Sequence, residues 1–165
     1  MAIVASDIHY RMSGGGANSD PALSTGGAES STSFTTNAIF DDVSSAEAAA
    51  GDIEYRCFYV HNAHATLTLQ GAKIWISAQT SSATTDIAIA LDGAGKNGTA
   101  ETEADESTAP TGETFSQPAD FAGGLSLGDL APGEYYPVWI RRTITAGTAA
   151  ATDTWTISVQ GDTNP

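Results

Sequence analysis

Apolar and polar residues alternate along this chain with a period of two, and the 3.6-residue period of an amphipathic helix is nearly missing. Residues 53–61, Ile-Glu-Tyr-Arg-Cys-Phe-Tyr-Val-His, predict a strand rich in aromatic and β-branched side chains. Alternation puts Ile53, Tyr55, Cys57 and Tyr59 on one face and Glu54, Arg56, Phe58 and Val60 on the other. Bulk on both faces predicts an interior strand. Residues 66–69 alternate, Gly71 interrupts, and 73–77 resume, so a bulge or a bend between two strands is expected at the glycine. Further strands are predicted over 86–91, 135–145 and 153–159, the last with Trp155, Ile157 and Val159 facing inward. Pro137 lacks a backbone donor, which places its strand at an edge or starts it at Val138. Residues 7–12 and 34–40 are weaker strand candidates. Residues 43–51 predict one short helix, with a serine to cap its start, an alanine run and Gly51 to end it. Short strands separated by Gly, Pro, Asp and Asn clusters predict an all-β fold, an antiparallel β-sandwich or jelly roll with long polar loops.

Two stretches fall outside this pattern. Residues 13–33 are nearly all Gly, Ser, Ala, Thr, Asn and Asp, with Leu23 the one sizeable apolar side chain. Such a segment buries too little surface to offset its ordering entropy, so it is expected to be mobile alone and ordered by a neighbouring chain. Residues 92–118 form a second long polar connection, and loops of that length tend to be functional or disordered. The expected organisation is a strand and extended Gly/Ser-rich arm over 1–40 and a sandwich over 41–165, one domain overall.

Composition narrows the partners. The 165 residues carry 20 acidic and 6 basic side chains, a formal charge of −14. That balance argues against nucleic acid, whose phosphates need Lys and Arg, and against an anionic membrane surface. No run approaches the roughly 20 apolar residues of a membrane span. No basic segment precedes an apolar one at Met1, so no export leader is expected. A single cysteine, Cys57, excludes an intrachain disulfide and leaves the redox compartment open.

No catalytic constellation, cofactor site or metal site is expected, and the chain is read as a non-enzyme. Glu101, Glu103, Asp105 and Glu106 with Asp92 offer hard oxygen ligands for Ca²⁺, but their spacing does not fit an EF-hand loop. Lys96 also sits where a ligand is wanted, so a solvated acidic loop is the expectation. His61 and His64 straddle a strand end and turn and are expected to be turn-exposed. Cys57 and His61 share a face about 13 Å apart at about 3.3 Å per residue, too far for a nucleophile and its base. Cys57 therefore reads as a buried structural thiol. The glycines at 14–16 and 123–124 lack the strand-to-helix context of a phosphate loop. Trp75, Trp139 and Trp155 are expected in the core rather than in a sugar platform. Arg141 and Arg142 are adjacent, hence on opposite faces, and at least one is available for an interchain carboxylate.

Four segments carry a resemblance. These are Asp-Ile-His-Tyr-Arg-Met-Ser-Gly-Gly-Gly-Ala-Asn-Ser-Asp-Pro at 7–21, the run Ile-Phe-Asp-Asp-Val-Ser-Ser-Ala-Glu-Ala-Ala-Ala-Gly-Asp-Ile-Glu-Tyr-Arg-Cys-Phe-Tyr-Val-His-Asn at 39–62, Ala-Thr-Leu-Thr-Leu-Gln-Gly-Ala-Lys-Ile-Trp-Ile at 65–76, and Leu-Ser-Leu-Gly-Asp-Leu-Ala-Pro-Gly at 125–133 with Val-Trp-Ile-Arg-Arg-Thr at 138–143. Together they resemble small virion structural proteins of tailed bacteriophages. The resemblance implies a capsid cement or decoration protein that binds the phage major capsid protein on the outer surface of the lattice. It further implies a homo-oligomer, with a trimer favoured, made in the host cytoplasm and located on the capsid exterior. Phe34, Ile39, Phe40, Phe115 and Phe121, together with Arg141 and Arg142, are expected at self- or capsid-facing contacts. The alternative is a tail, baseplate or head-fibre module that binds a host-surface glycan through exposed aromatics and the 92–118 loop. A secreted hydrolase or carbohydrate-binding module is the reading from another class.

Overall fold

The computed structural model describes residues 2–35, 38–149 and 153–163. Strands β1 (Ile8–Met12), β2 (Asp52–Asn62), β3 (Leu69–Ala78), β4 (Thr85–Leu91), β5 (Leu125–Leu130), β6 (Tyr135–Ile144) and β7 (Thr156–Thr163) follow one another, with a short helix α1 (Ser45–Ala50) before β2. They form two antiparallel sheets, ordered β1-β2-β6-β4 and β5-β3-β7. The chain is an all-β sandwich. Phe58, Val60, Ile87, Ile89, Val138 and Ile140 of the first sheet meet Leu69, Ile74, Ile76, Leu127, Leu130 and Ile157 of the second in one buried core.

Helix α1 forms where the sequence places it. The Ser44 hydroxyl accepts the Glu47 amide at 3.2 Å, the Glu47 carboxylate accepts the Ser44 amide at 2.6 Å, and Gly51 at φ 76° ends the helix. Strand β2 is interior, as its two bulky faces predict, lying between β1 and β6. Residues 66–68 fall outside β3, which runs from Leu69 through Gly71 as one strand with a register shift at the glycine. Residues 34–40 form no strand among the described residues, and Thr36 and Asn37 lie outside those described. Strand β5 escaped the sequence reading, because Gly128 at φ 71° breaks its alternation while Leu127 and Leu130 remain buried.

Pro137 departs from expectation. Its strand starts at Tyr135 and lies inside the sheet. The missing donor faces β4, whose last pair is Leu91 with Val138, one residue short of Pro137. Asp92 still donates to the Pro137 carbonyl at 3.2 Å, and the Asp92 carbonyl, left without a proline N–H, accepts from Gly95 at 3.1 Å. The proline thus stands where its partner strand turns away.

The arm is the larger correction. Segment 13–33 is ordered by this chain itself, laid over the outer face of the first sheet. Beyond the end of β1, the β2 amides of Cys57 and Tyr55 donate to the carbonyls of Ser24 at 2.7 Å and Glu106 at 2.6 Å, so two loops continue the edge that β1 leaves. Tyr59 pins both loops: its hydroxyl donates to the Gly27 carbonyl at 2.6 Å and accepts the Ala100 amide at 3.0 Å. At Gly26, φ 99°, a β-carbon would lie 1.7 Å from the Glu101 carbonyl oxygen, so only glycine permits this crossing. Backbone hydrogen bonds and buried hydroxyls of Ser13, Ser24 and Ser30 replace the apolar anchor that the segment lacks. The first sheet is therefore covered on both faces, with Cys57, Tyr59, Ala90, Ala100 and Trp139 packed beneath the loops.

Candidate functional site

The chemistry gathers at the end of the first sheet where β2 begins and β6 ends. Alternation sends Glu54 and Arg56 of β2 and Arg142 of β6 to the sandwich interior, while Tyr55 and Arg141 face outward.

On the interior side, Glu54 is 0% exposed and Arg142 8%. The Arg142 Nε donates to Glu54 Oε2, and its Nη1 donates to the Asp41 carbonyl at 2.6 Å. Arg56 pairs with Glu106. Both guanidinium groups lie over the Phe40 ring, Arg142 at 4.7 Å and Arg56 at 5.8 Å from its centroid, with Trp155 edge-on at 6.5 Å. Stacking on an aromatic face lets the cations lose water without losing all stabilisation. Burial raises the Glu54 pKa above the usual carboxylate value, against the opposing pull of Arg142. Oxygen Oε1 of Glu54 is buried with no hydrogen-bond partner among the described residues. Asp153, bordering the same cleft, clips the loop before β4: it accepts the Ser81 amide at 2.7 Å, the Ser81 hydroxyl at 2.6 Å, and the Thr85 hydroxyl. Burial alone would raise its pKa, but these bonds outweigh burial and lower it.

On the outward side, Arg141 lies 5.3 Å over the Phe115 ring, which meets Tyr55 edge-on at 5.5 Å. Ile53, 44% exposed, continues the patch on the same face. Among the described residues Arg141 has no carboxylate within ion-pair distance, and its Nε has no hydrogen-bond partner. A third aromatic group sits on the outer face of the second sheet, where Phe121, 39% exposed, meets Trp75 edge-on at 5.9 Å and Lys73 at 5.2 Å.

The residues expected at contacts therefore divide. Phe115, Phe121 and Arg141 are partly exposed. Ile39 and Phe40 are buried in the core of the single chain, and Arg142 is paired within it, so the isolated subunit does not present these three at its surface. Phe34 is half-buried edge-on to Phe58 at 5.8 Å. The apolar residues at 39 and 40 sit in a polar stretch, which reads as surface until tertiary structure brings β7 and the arginines around them.

Other expectations resolve similarly. Cys57 is fully buried and its thiol pKa pushed well up by burial, as a structural thiol should be. His61 is not turn-exposed: it is buried in β2, 2.8 Å from Glu29 and stacked on Tyr135. The Glu29 partner comes from the arm, which sequence spacing does not connect to residue 61. His64 does serve a turn, its Nδ1 accepting the Thr66 and Leu67 amides at 3.1 and 3.0 Å. Asp92, offered as a calcium ligand, is buried and accepts the Trp139 indole N–H at 2.7 Å. Trp139 and Trp155 are core residues, whereas Trp75 is half-exposed. Of the acidic loop, Glu106 alone joins a carboxylate group close enough to share an ion among the described residues.

Compared with known proteins, the chain matches no family model, no curated protein and no solved structure.

Proposed function

We propose that this chain is a structural component of a tailed-phage particle, a cement protein that binds the major capsid lattice from outside and oligomerises there as a trimer. The observation that carries the reading is Arg141. Of the six basic residues, Arg11, Arg56, Lys96 and Arg142 have carboxylate partners inside the chain, and Lys73 stacks on Phe121 and donates to the Ala122 carbonyl. Arg141 has none among the described residues, yet it is held in place by Phe115 and Tyr55 beside exposed Ile53. A positioned arginine with an aromatic and aliphatic border is a composition enriched where proteins meet. In a chain of charge −14 it is completed by a carboxylate from another subunit. The acidic remainder keeps coated particles mutually repulsive and off DNA. Many copies on one closed shell multiply a modest contact energy per copy. Mixing the purified chain with expanded empty capsids tests this: stoichiometric co-sedimentation and a raised disruption temperature are expected, both weakened by Arg141→Ala. Absence of binding to such shells overturns it.

A second reading has its own observation. The exposed Trp75–Phe121 pair on the second sheet is a small aromatic platform of the kind sugars stack on, which favours a tail or fibre module recognising a host glycan. Binding to a glycan array that Trp75→Ala abolishes would establish it.

A further inference from the structure

The carboxylates clustered at the start of β2 outnumber their cations, and Glu54 alone among them is buried. Asp41, Glu54 and Glu106 pair with Arg142 and Arg56, whereas Glu47 and Asp52 have no ion-pair partner among the described residues. Glu54 belongs to two groups of close carboxylates, one with Asp41 and Glu106 and one with Glu47 and Asp52. The first group already has its cations, because both arginines reach into it. In the second, Arg142 reaches Glu54 alone, and Glu47 and Asp52 meet no cation among the described residues.

In that second group, one oxygen of each carboxylate is within 4.8 Å of one from each of the others. Each residue also commits one oxygen elsewhere: Glu47 Oε2 to the Ser44 amide, Asp52 Oδ1 to the Ile53 amide, Glu54 Oε2 to Arg142. The other oxygens, Glu47 Oε1, Asp52 Oδ2 and Glu54 Oε1, accept no hydrogen bond among the described residues. For Glu54 this is decisive, because its residue is 0% exposed and Oε1 is shut away from water. An ionised oxygen buried without a donor is costly, and in native proteins such an atom calls for a proton, a water or an ion.

We propose that Glu47, Asp52 and Glu54 hold a calcium ion, which ties α1 to the start of β2 and gives Glu54 Oε1 the partner it lacks among the described residues. Three carboxylates on two elements, with Asp52 and Glu47 partly open to solvent, suit a hard cation that takes six to eight oxygens at flexible geometry and completes its shell with water. The fixed octahedron that Mg²⁺ demands is less well served by carboxylates spread over a helix and a strand. The arrangement is independent of the capsid reading, since it concerns the isolated chain.

The test is a thermal melt and a calorimetric titration of the full chain stripped with EDTA. Calcium at about 5 mM is expected to raise Tm by roughly 5 °C, the linkage expected of a ligand present well above its Kd. Mg²⁺ should give less. Glu54→Gln should abolish both the heat and the shift, but it also disturbs Arg142. The double variant Glu47→Gln/Asp52→Asn is therefore the sharper probe. Gln at 47 keeps the helix cap, so its melt in EDTA should match that of the unaltered chain while the calcium response disappears. No heat and no shift with calcium overturns the proposal. So does an undiminished response in the double variant, or a response abolished by Asp41→Asn/Glu106→Gln and retained in the double variant.

Discussion

Arg141 and Arg142 are consecutive residues with opposite fates. Arg142 points into the sandwich, where Glu54, Asp41 and the Phe40 ring take up its charge and its donors. Arg141 points through the other face of the same sheet, onto Phe115, with no carboxylate to meet it among the described residues. One backbone step separates a residue paired inside the subunit from one with no carboxylate partner among the described residues. The difference teaches that a charged dipeptide in a strand carries two roles as soon as the two faces have different neighbours.

The most severe way to break this contrast is Arg142→Ala, which leaves Glu54 buried with an uncompensated charge. It is expected to cost about 3–5 kcal/mol, read as a lower urea midpoint with unchanged slope. Tyr59→Phe attacks the cover on the outward face instead. It deletes the bonds to Gly27 and Ala100 and should cost about 1–2 kcal/mol, with faster proteolytic nicking in 13–33 than in the unaltered chain.

Asp153 sharpens the interior side through pH. Its folded pKa lies below the ordinary 3.8, so its stabilisation is complete above that value and is lost as pH falls through the folded one. Asp153→Asn should therefore lower Tm at pH 7 by a few degrees and flatten the acid limb of the Tm-against-pH curve below the ordinary value. The smallest effect on folding is expected for Arg141→Ala, less than about 1 kcal/mol in the isolated chain because no ion pair is broken. If Arg141→Ala destabilised the monomer as much as Arg142→Ala, the division between the two faces would be wrong.

Much of this architecture was legible in the residues. Alternation through 53–61 and 86–91 placed the correct side chains on each face, and the Ser44–Glu47 spacing with Gly51 marked the helix. Strand β5 was missed because Gly128 interrupts the period that reveals strands. The arm was misjudged for a different reason: composition counts apolar anchors, whereas 13–33 is held by hydrogen bonds to β2 and to residues 99–106, whose positions no local pattern encodes.

The same limit governs the site. The sequence by itself determined the class of fold, the acidic balance, and that Arg141 and Arg142 would part to opposite faces, because each follows from local periodicity or from simple charge counts. Only the tertiary structure decided which arginine is satisfied, that Phe40 is core, and that carboxylates from 47, 52 and 54 converge, one of them with a buried oxygen that has no partner among the described residues. Those outcomes depend on which segments are brought across the faces of β2 and β6. That is a matter of long-range packing, where a side chain's neighbours are chosen by topology and not by its place in the chain.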